Sequence, residues 1–188
     1  MLFRSALTVT LVLPALGKRW INTAPLLHIG LPPNFSEMLR TIRTNILFSS
    51  SEEGSRTLAI TSTGPGEGKT MVASNLAVGF ALTGQRVLLI DADMRRSRAH
   101  ELFELDQEPG LSNILVGNAK PSAAVRNTNV AGLWVLPAGR TPPNPAELIS
   151  SKRFKELLDS LKENFDTIII DNEKMLVTAG GGDRKSVV

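Results

Sequence analysis

The stretch Leu58-Ala59-Ile60-Thr61-Ser62-Thr63-Gly64-Pro65-Gly66-Glu67-Gly68-Lys69-Thr70-Met71 decides how this chain folds. Leu58 to Thr61 reads as a short buried strand. A glycine-rich turn follows it. Thr70 to Leu82 then reads as a helix, its small residues Ala73, Ala77 and Ala81 permitting close packing and Gly84 ending it. The turn follows the phosphate-binding pattern G-x-x-x-x-G-K-[ST], with Thr63 at the first glycine position and Gly64 directly after it. Glycines let backbone N–H groups turn inward and approach phosphate oxygens closely. The helix that follows presents its positive end to the same anion. On this reading Gly64, Pro65, Gly66, Glu67, Gly68, Lys69, Thr70 and Met71 cradle ATP. Lys69 sets a cation against the β- and γ-phosphates, and the Thr70 hydroxyl is a hard oxygen ligand for Mg²⁺.

Outward from this stretch, apolar runs alternate with helical patterns. Ser36 can cap a helix from Glu37 to Phe48, with Met38, Leu39, Ile42, Ile46 and Leu47 at helical spacing. Arg86 to Ile90, Leu133 to Leu136 and Thr167 to Ile170 read as further strands. Pro145 to Phe165 reads as one helical stretch with Leu148, Phe154, Leu157, Leu158 and Leu161 as its buried stripe. The alternation predicts an α/β fold of the P-loop NTPase class, a mostly parallel sheet with helices on both faces. Ligands of such sheets bind at the carboxyl ends of the strands. The glycine-rich turn, Asp91 and Asp171 all follow strand ends. Asp91 and Asp93, two residues apart in Leu88-Leu89-Ile90-Asp91-Ala92-Asp93-Met94-Arg95, offer one carboxylate to help hold Mg²⁺ and one to accept a hydroxyl proton.

The bulk numbers bound the rest. Of 188 residues, 42% are hydrophobic and 21% charged, the balance of a globular chain with a core. Net charge is +3 with the basic residues scattered, so no nucleic-acid partner is expected. No cysteine is present, which excludes disulfides and thiolate metal sites. His28 and His100 lack metal-ligand spacing and read as structural or exposed, and Trp20 and Trp134 read as packing residues. Residues 1–33 read as an N-terminal linker or stub, or in part as a surface strand; the apolar run Ala6 to Leu16 is too short to span a bilayer. Residues 34–179 form the domain, expected to be incomplete at its C-terminus. Residues 180–188 read as a tail resembling a translated sequencing adapter in Asp183-Arg184-Lys185-Ser186-Val187-Val188.

The P-loop followed by Leu88 to Arg95 resembles the paired nucleotide motifs of bacterial tyrosine kinases of capsule and exopolysaccharide synthesis, relatives of the division-site and partition ATPases. Glu37, Arg40 and Arg43 match that family's E-x-x-R-x-x-R assembly motif. Leu136-Pro137-Ala138-Gly139 and Pro142-Pro143-Asn144-Pro145-Ala146-Glu147-Leu148 also resemble a stretch typical of it. The similarity runs from about Ser36 to Asp171. It implies an ATP- and Mg²⁺-dependent protein tyrosine (auto)kinase with Asp91, Lys69 and Asp93 catalytic. Thr70, Asp91 and Asp171 would serve the metal. It implies a homo-oligomeric ring joined through Glu37, Arg40 and Arg43. It also implies a transmembrane polysaccharide co-polymerase adaptor, fused or separate, and a place at the cytoplasmic face of the plasma membrane. Asp171-Asn172-Glu173-Lys174 departs from the family's D-x-P-P. The family's tyrosine-rich tail has no counterpart, since the chain has no tyrosine. The alternatives are a partition-type ATPase switch, whose members usually carry a further lysine near the start of the P-loop, and a nucleotide-binding assembly module without catalysis.

Overall fold

The computed structural model describes residues 6–10, 33–49, 54–61 and 66–172. In chain order the elements are β1 (Ala6–Thr10), α1 (Pro33–Ser49), β2 (Arg56–Thr61), α2 (Lys69–Ala81), β3 (Val87–Asp91), α3 (Ala99–Leu102), α4 (Leu111–Leu115), α5 (Pro121–Ala124), β4 (Arg126–Asn127), β5 (Leu133–Leu136), α6 (Pro145–Ile149), α7 (Lys152–Leu161) and β6 (Thr167–Asp171). The strands form one sheet in the order β1-β2-β6-β3-β5-β4. Neighbours run parallel except β4, which is antiparallel to β5. Ala6–Thr10, inside the segment read as linker or surface strand, pairs with β2 at the sheet edge.

Strands β2, β3, β5 and β6 are largely apolar runs because both of their faces are covered. Side chains alternate between the faces. Val87, Leu89, Leu58, Ile60 and Ile169 join one core with Val72, Leu76 and Phe80 of α2. Leu88, Ile90, Ile168 and Ile170 join the other, with Phe154, Leu157, Leu158 and Leu161 of α7. Helix α2 is buried along most of its length, between the sheet and α1. Ala73 and Ala77 are fully covered there. Helix α1 turns Leu39 and Ile46 inward, as its spacing predicts, and Phe48 stays exposed.

The stretch Pro145 to Phe165, expected as one helix, is two. Helix α6 ends at Ile149, and Ser151 takes an extended conformation whose hydroxyl accepts from Phe154 N at 3.2 Å, capping α7. Its expected stripe survives the break: Phe154, Leu157, Leu158 and Leu161 are buried, and Leu148 packs against them from α6. At the amino end of the sheet, Arg86 precedes β3 rather than joining it. Its guanidinium meets Asp166 at 2.7 Å and holds that carboxyl below its usual range. Among the described residues no helix is long and apolar enough to cross a membrane.

Candidate active site

The sheet order creates the site. β6, last of the described strands, inserts between β2 and β3, so the carboxyl ends of three strands meet. Asp171 registers against Ile60 on one side and Asp91 on the other. Two carboxylates thus stand on adjacent strands at one level. Helix α2 starts beside them, with Lys69 and Thr70 close enough to act on Asp171. Gly66 and Gly68 hold φ values of +77° and +85°, a left-handed conformation that disfavours side chains, which explains glycine at both. Gly68 is the N-cap of α2 and carries no capping side chain; Val72 N donates to its carbonyl. Lys69, at the first position of the helix, is buried, and Thr70 is partly buried. Gly66 and Glu67 are exposed, and Met71 packs against the α2-side core. Gly64 and Pro65 lie outside the described residues, as do Trp20 and His28.

Asp91 is fully buried and held by its own loop. Its Oδ2 accepts from Ser97 Oγ at 2.9 Å, from Arg98 N at 3.1 Å and from Ala99 N at 3.0 Å. Its Oδ1 accepts from Asp93 N at 3.1 Å. Asp93, buried behind it, accepts from Arg96 N through Oδ1 at 3.0 Å. Burial pushes the Asp91 carboxyl up to about 6 against the pull of these hydrogen bonds, with the Asp93 charge adding to the rise.

Asp171 is equally buried and, among the described residues, accepts no hydrogen bond at either oxygen. Burial and the Asp91 charge push its carboxyl up to about 7. The Thr70 hydroxyl and the Lys69 charge oppose that rise, though neither is in hydrogen-bond geometry with it. A bare buried carboxylate is costly unless a cation meets it. With the Thr70 hydroxyl beside it, the donors are hard oxygens, which fit Mg²⁺. Among the described residues no three His, Asp or Glu side chains close into a metal cage. Mg²⁺ in phosphate-transfer sites is usually held by one or two carboxylates together with substrate phosphates.

The structure therefore brings Lys69, Thr70, Asp91, Asp93 and Asp171 to one edge. Glu37, Arg40 and Arg43 lie apart from it on α1. Glu37 and Arg40 are exposed and face each other at 4.0 Å. Arg43 is partly buried, and its Nη1 donates to Gly79 O of α2 at 2.7 Å, so its side chain ties the two helices within one subunit. Sequence reading missed Ser97 and His100. Ser97 Oγ also lies 3.1 Å from His100 Nδ1, which brings a histidine expected to be merely structural or exposed into contact with the site. The only signal for this was a serine six residues after a strand-end aspartate.

Comparison with known proteins agrees with this geometry. The family described as AAA domain matches residues 55–178. The putative tyrosine-protein kinase CapB of Staphylococcus aureus is 39% identical over 157 residues, covering 83% of this chain and 69% of CapB. The kinase domain of the Escherichia coli tyrosine kinase ETK superposes with a TM-score of 0.76 at 35% identity, covering 83% of this chain and 61% of that one. The septum site-determining protein MinD of Pyrococcus horikoshii, complexed with Mg-ADP, gives 0.56 at 28% identity over 64% of this chain and 50% of its own. The chain spans between about a fifth and about two thirds of the length of the curated relatives it matches. By sequence match and by structural superposition, the chain belongs to the bacterial tyrosine-kinase family of P-loop proteins.

Proposed function

We propose that this domain transfers the γ-phosphate of Mg·ATP to a tyrosine hydroxyl, as part of a kinase that regulates capsule or exopolysaccharide synthesis and export. The observation that carries this reading is the register pair Asp91 and Asp171 beside the amino end of α2, with one carboxylate organised and the other bare. Lys69 and the backbone amides of the turn bind and orient the phosphates. Thr70 and Asp171, with Asp91 nearby, would hold Mg²⁺, which when bound would draw charge off the phosphate oxygens. Asp91 accepts the proton of the incoming hydroxyl, and Asp93 supports the loop that presents it. Burial of Lys69 and both carboxylates keeps these charges in a low dielectric, where they act more strongly.

The acceptor tyrosine comes from outside the given sequence, which contains none. A homo-oligomeric ring would present a neighbour's segment to this edge. Glu37 and Arg40 are exposed and suited to subunit contact, while Arg43 sets the angle of α1 on α2. A transmembrane polysaccharide co-polymerase partner, fused or separate, would hold the domain at the cytoplasmic face of the plasma membrane.

The test is phosphotyrosine formation on an added tyrosine peptide, followed by mass spectrometry. Asp91→Asn is expected to slow transfer by about 10²- to 10⁴-fold, the usual contribution of a general base, and to weaken Mg·ATP binding by much less. Transfer at the wild-type rate would remove Asp91 from this role. Similarity to MinD with Mg-ADP supports a second reading, an ATPase switch. ATP hydrolysis by the wild type with no phosphotyrosine, in the presence of its assembled partners, would favour that switch.

A further inference from the structure

We infer that His100 is a positioning residue for Asp91, acting through Ser97 to fix which oxygen of the carboxylate is anchored and which is free to work; this rests on the proposed role of Asp91. Three donors converge on Asp91 Oδ2: Ser97 Oγ, Arg98 N and Ala99 N. An oxygen that receives two backbone N–H groups is an acceptor, so the Ser97 hydroxyl gives it its single proton. Ser97 Oγ then meets His100 Nδ1, at 3.1 Å, only as an acceptor. The ring must carry its proton on Nδ1 and donate it. With the proton on Nε2 instead, Nδ1 would be a lone pair competing with Asp91 for the same hydroxyl.

The local fold explains why such a device is needed. Helix α3 has four residues, and its N-cap Arg98 supplies no capping side chain. Asp91 caps it from the sheet, through Arg98 N and Ala99 N, and His100 in the same turn reaches back through Ser97. Loop, helix and strand end thereby form a closed ring of hydrogen bonds. Oδ2 is held by three donors and Oδ1 by one, from Asp93 N. Oδ1 is thus the oxygen with room for an incoming hydroxyl proton. Without the His100 donor the Ser97 hydroxyl can turn away, and the carboxylate gains freedom about its last bond.

Tautomer state is read directly by nitrogen-15 NMR of the imidazoles in the full chain, at a pH of about 8, well above the ordinary histidine range. The chain has two histidines, and His28→Gln assigns them. His100 is expected in the Nδ1–H form, and Ser97→Ala should move it toward Nε2–H. A wild-type His100 in the Nε2–H form, or no change in Ser97→Ala, overturns the inference. Activity gives a second readout. His100→Leu should lower the turnover of phosphotransfer by about 3- to 10-fold, the value of one hydrogen bond, with Mg·ATP affinity held. His100→Asn, whose amide N–H sits close to the position of Nδ1–H, should restore most of the loss. Equal loss in both variants counts against the relay. If the wild type transfers no phosphate to the peptide, the kinase reading fails, and the NMR result still decides whether the relay exists.

Discussion

The ends of β3 and β6 carry the same residue at the same level of the sheet, equally buried, and treat it in opposite ways. Asp91 is wrapped by its own loop and accepts four hydrogen bonds. Asp171 accepts none among the described residues. A protein gains nothing in stability from a bare buried carboxylate, so its cost points to a cation that arrives with the ligand. A carboxylate anchored by four donors is different: its orientation is set before any ligand arrives. One strand end is prepared for geometry and the other for charge. Lys69 stands on the charge side of this division, since its field reaches Asp171.

The largest effect should therefore come from Lys69. Lys69→Ala removes a buried cation from the phosphate site and from the neighbourhood of Asp171. Mg·ATP binding, measured by calorimetry, should weaken by about 10²- to 10³-fold, the loss of a charge-assisted contact. The hydrogen bonds around Asp91 do not involve Lys69, so amide resonances of residues 97–99 should stay in place. Unchanged ATP affinity would sink the phosphate-site assignment. A large shift at residues 97–99 would blur the division between the two strand ends.

The next effect is a dependence on pH. Asp91 and Asp171 rise from the ordinary value of 3.8 to about 6 and about 7. Between 3.8 and those values the folded chain holds protons that the unfolded chain has released. Stability must then fall as pH climbs through that window and level off above it. Asp166, held down by Arg86, acts in the opposite sense but at the acid end. Each tenfold change in proton affinity is worth about 1.4 kcal/mol, and the two groups share one site. A total fall on the order of 3 kcal/mol is expected between pH 5 and pH 8, read from urea midpoints in the absence of metal. Mg²⁺ with nucleotide should flatten the fall. A profile that is level or rising over this range would mean that neither carboxylate is buried as described.

Much of this arrangement is legible in the sequence, and the rest is not for definite reasons. The buried runs from Leu58, Val87, Leu133 and Thr167 announce their strands because apolar residues fill both faces. Lys69, Thr70 and Asp91 follow from local pattern and position at strand ends. The insertion of β6 between β2 and β3 is a matter of long-range pairing, and no local pattern announces it. Helices α3, α4 and α5 have four or five residues, too few for a helical period to show. The break at Ser151 is hidden because Leu148 keeps an apolar residue near the stripe on both sides of it. The contrast between Asp91 and Asp171 is invisible in sequence for the same kind of reason. It depends on donors that a loop folds back from six to eight residues away at Asp91, while among the described residues no donor reaches Asp171.

The finest test of the contrast replaces each aspartate by asparagine, one at a time, and compares the two folds without metal at pH 8. Asparagine keeps the size of the side chain and removes the charge. At position 171 this relieves the burial of a charge that no hydrogen bond offsets, and no donor is left behind. At position 91 the charge is also relieved, but the new NH₂ group must face N–H donors. If it replaces Oδ1 it confronts Asp93 N, and if it replaces Oδ2 it confronts Ser97, Arg98 and Ala99. The cheaper orientation still loses one bond and strands one donor. Each such loss costs about 1–3 kcal/mol when buried. Asp171→Asn should therefore be the more stable variant by about 2 kcal/mol, from urea unfolding curves with equal slopes. Two variants of equal stability would show that the loop around Asp91 contributes no net holding energy. A more stable Asp91→Asn would reverse the division, making β3 the strand end that waits for charge.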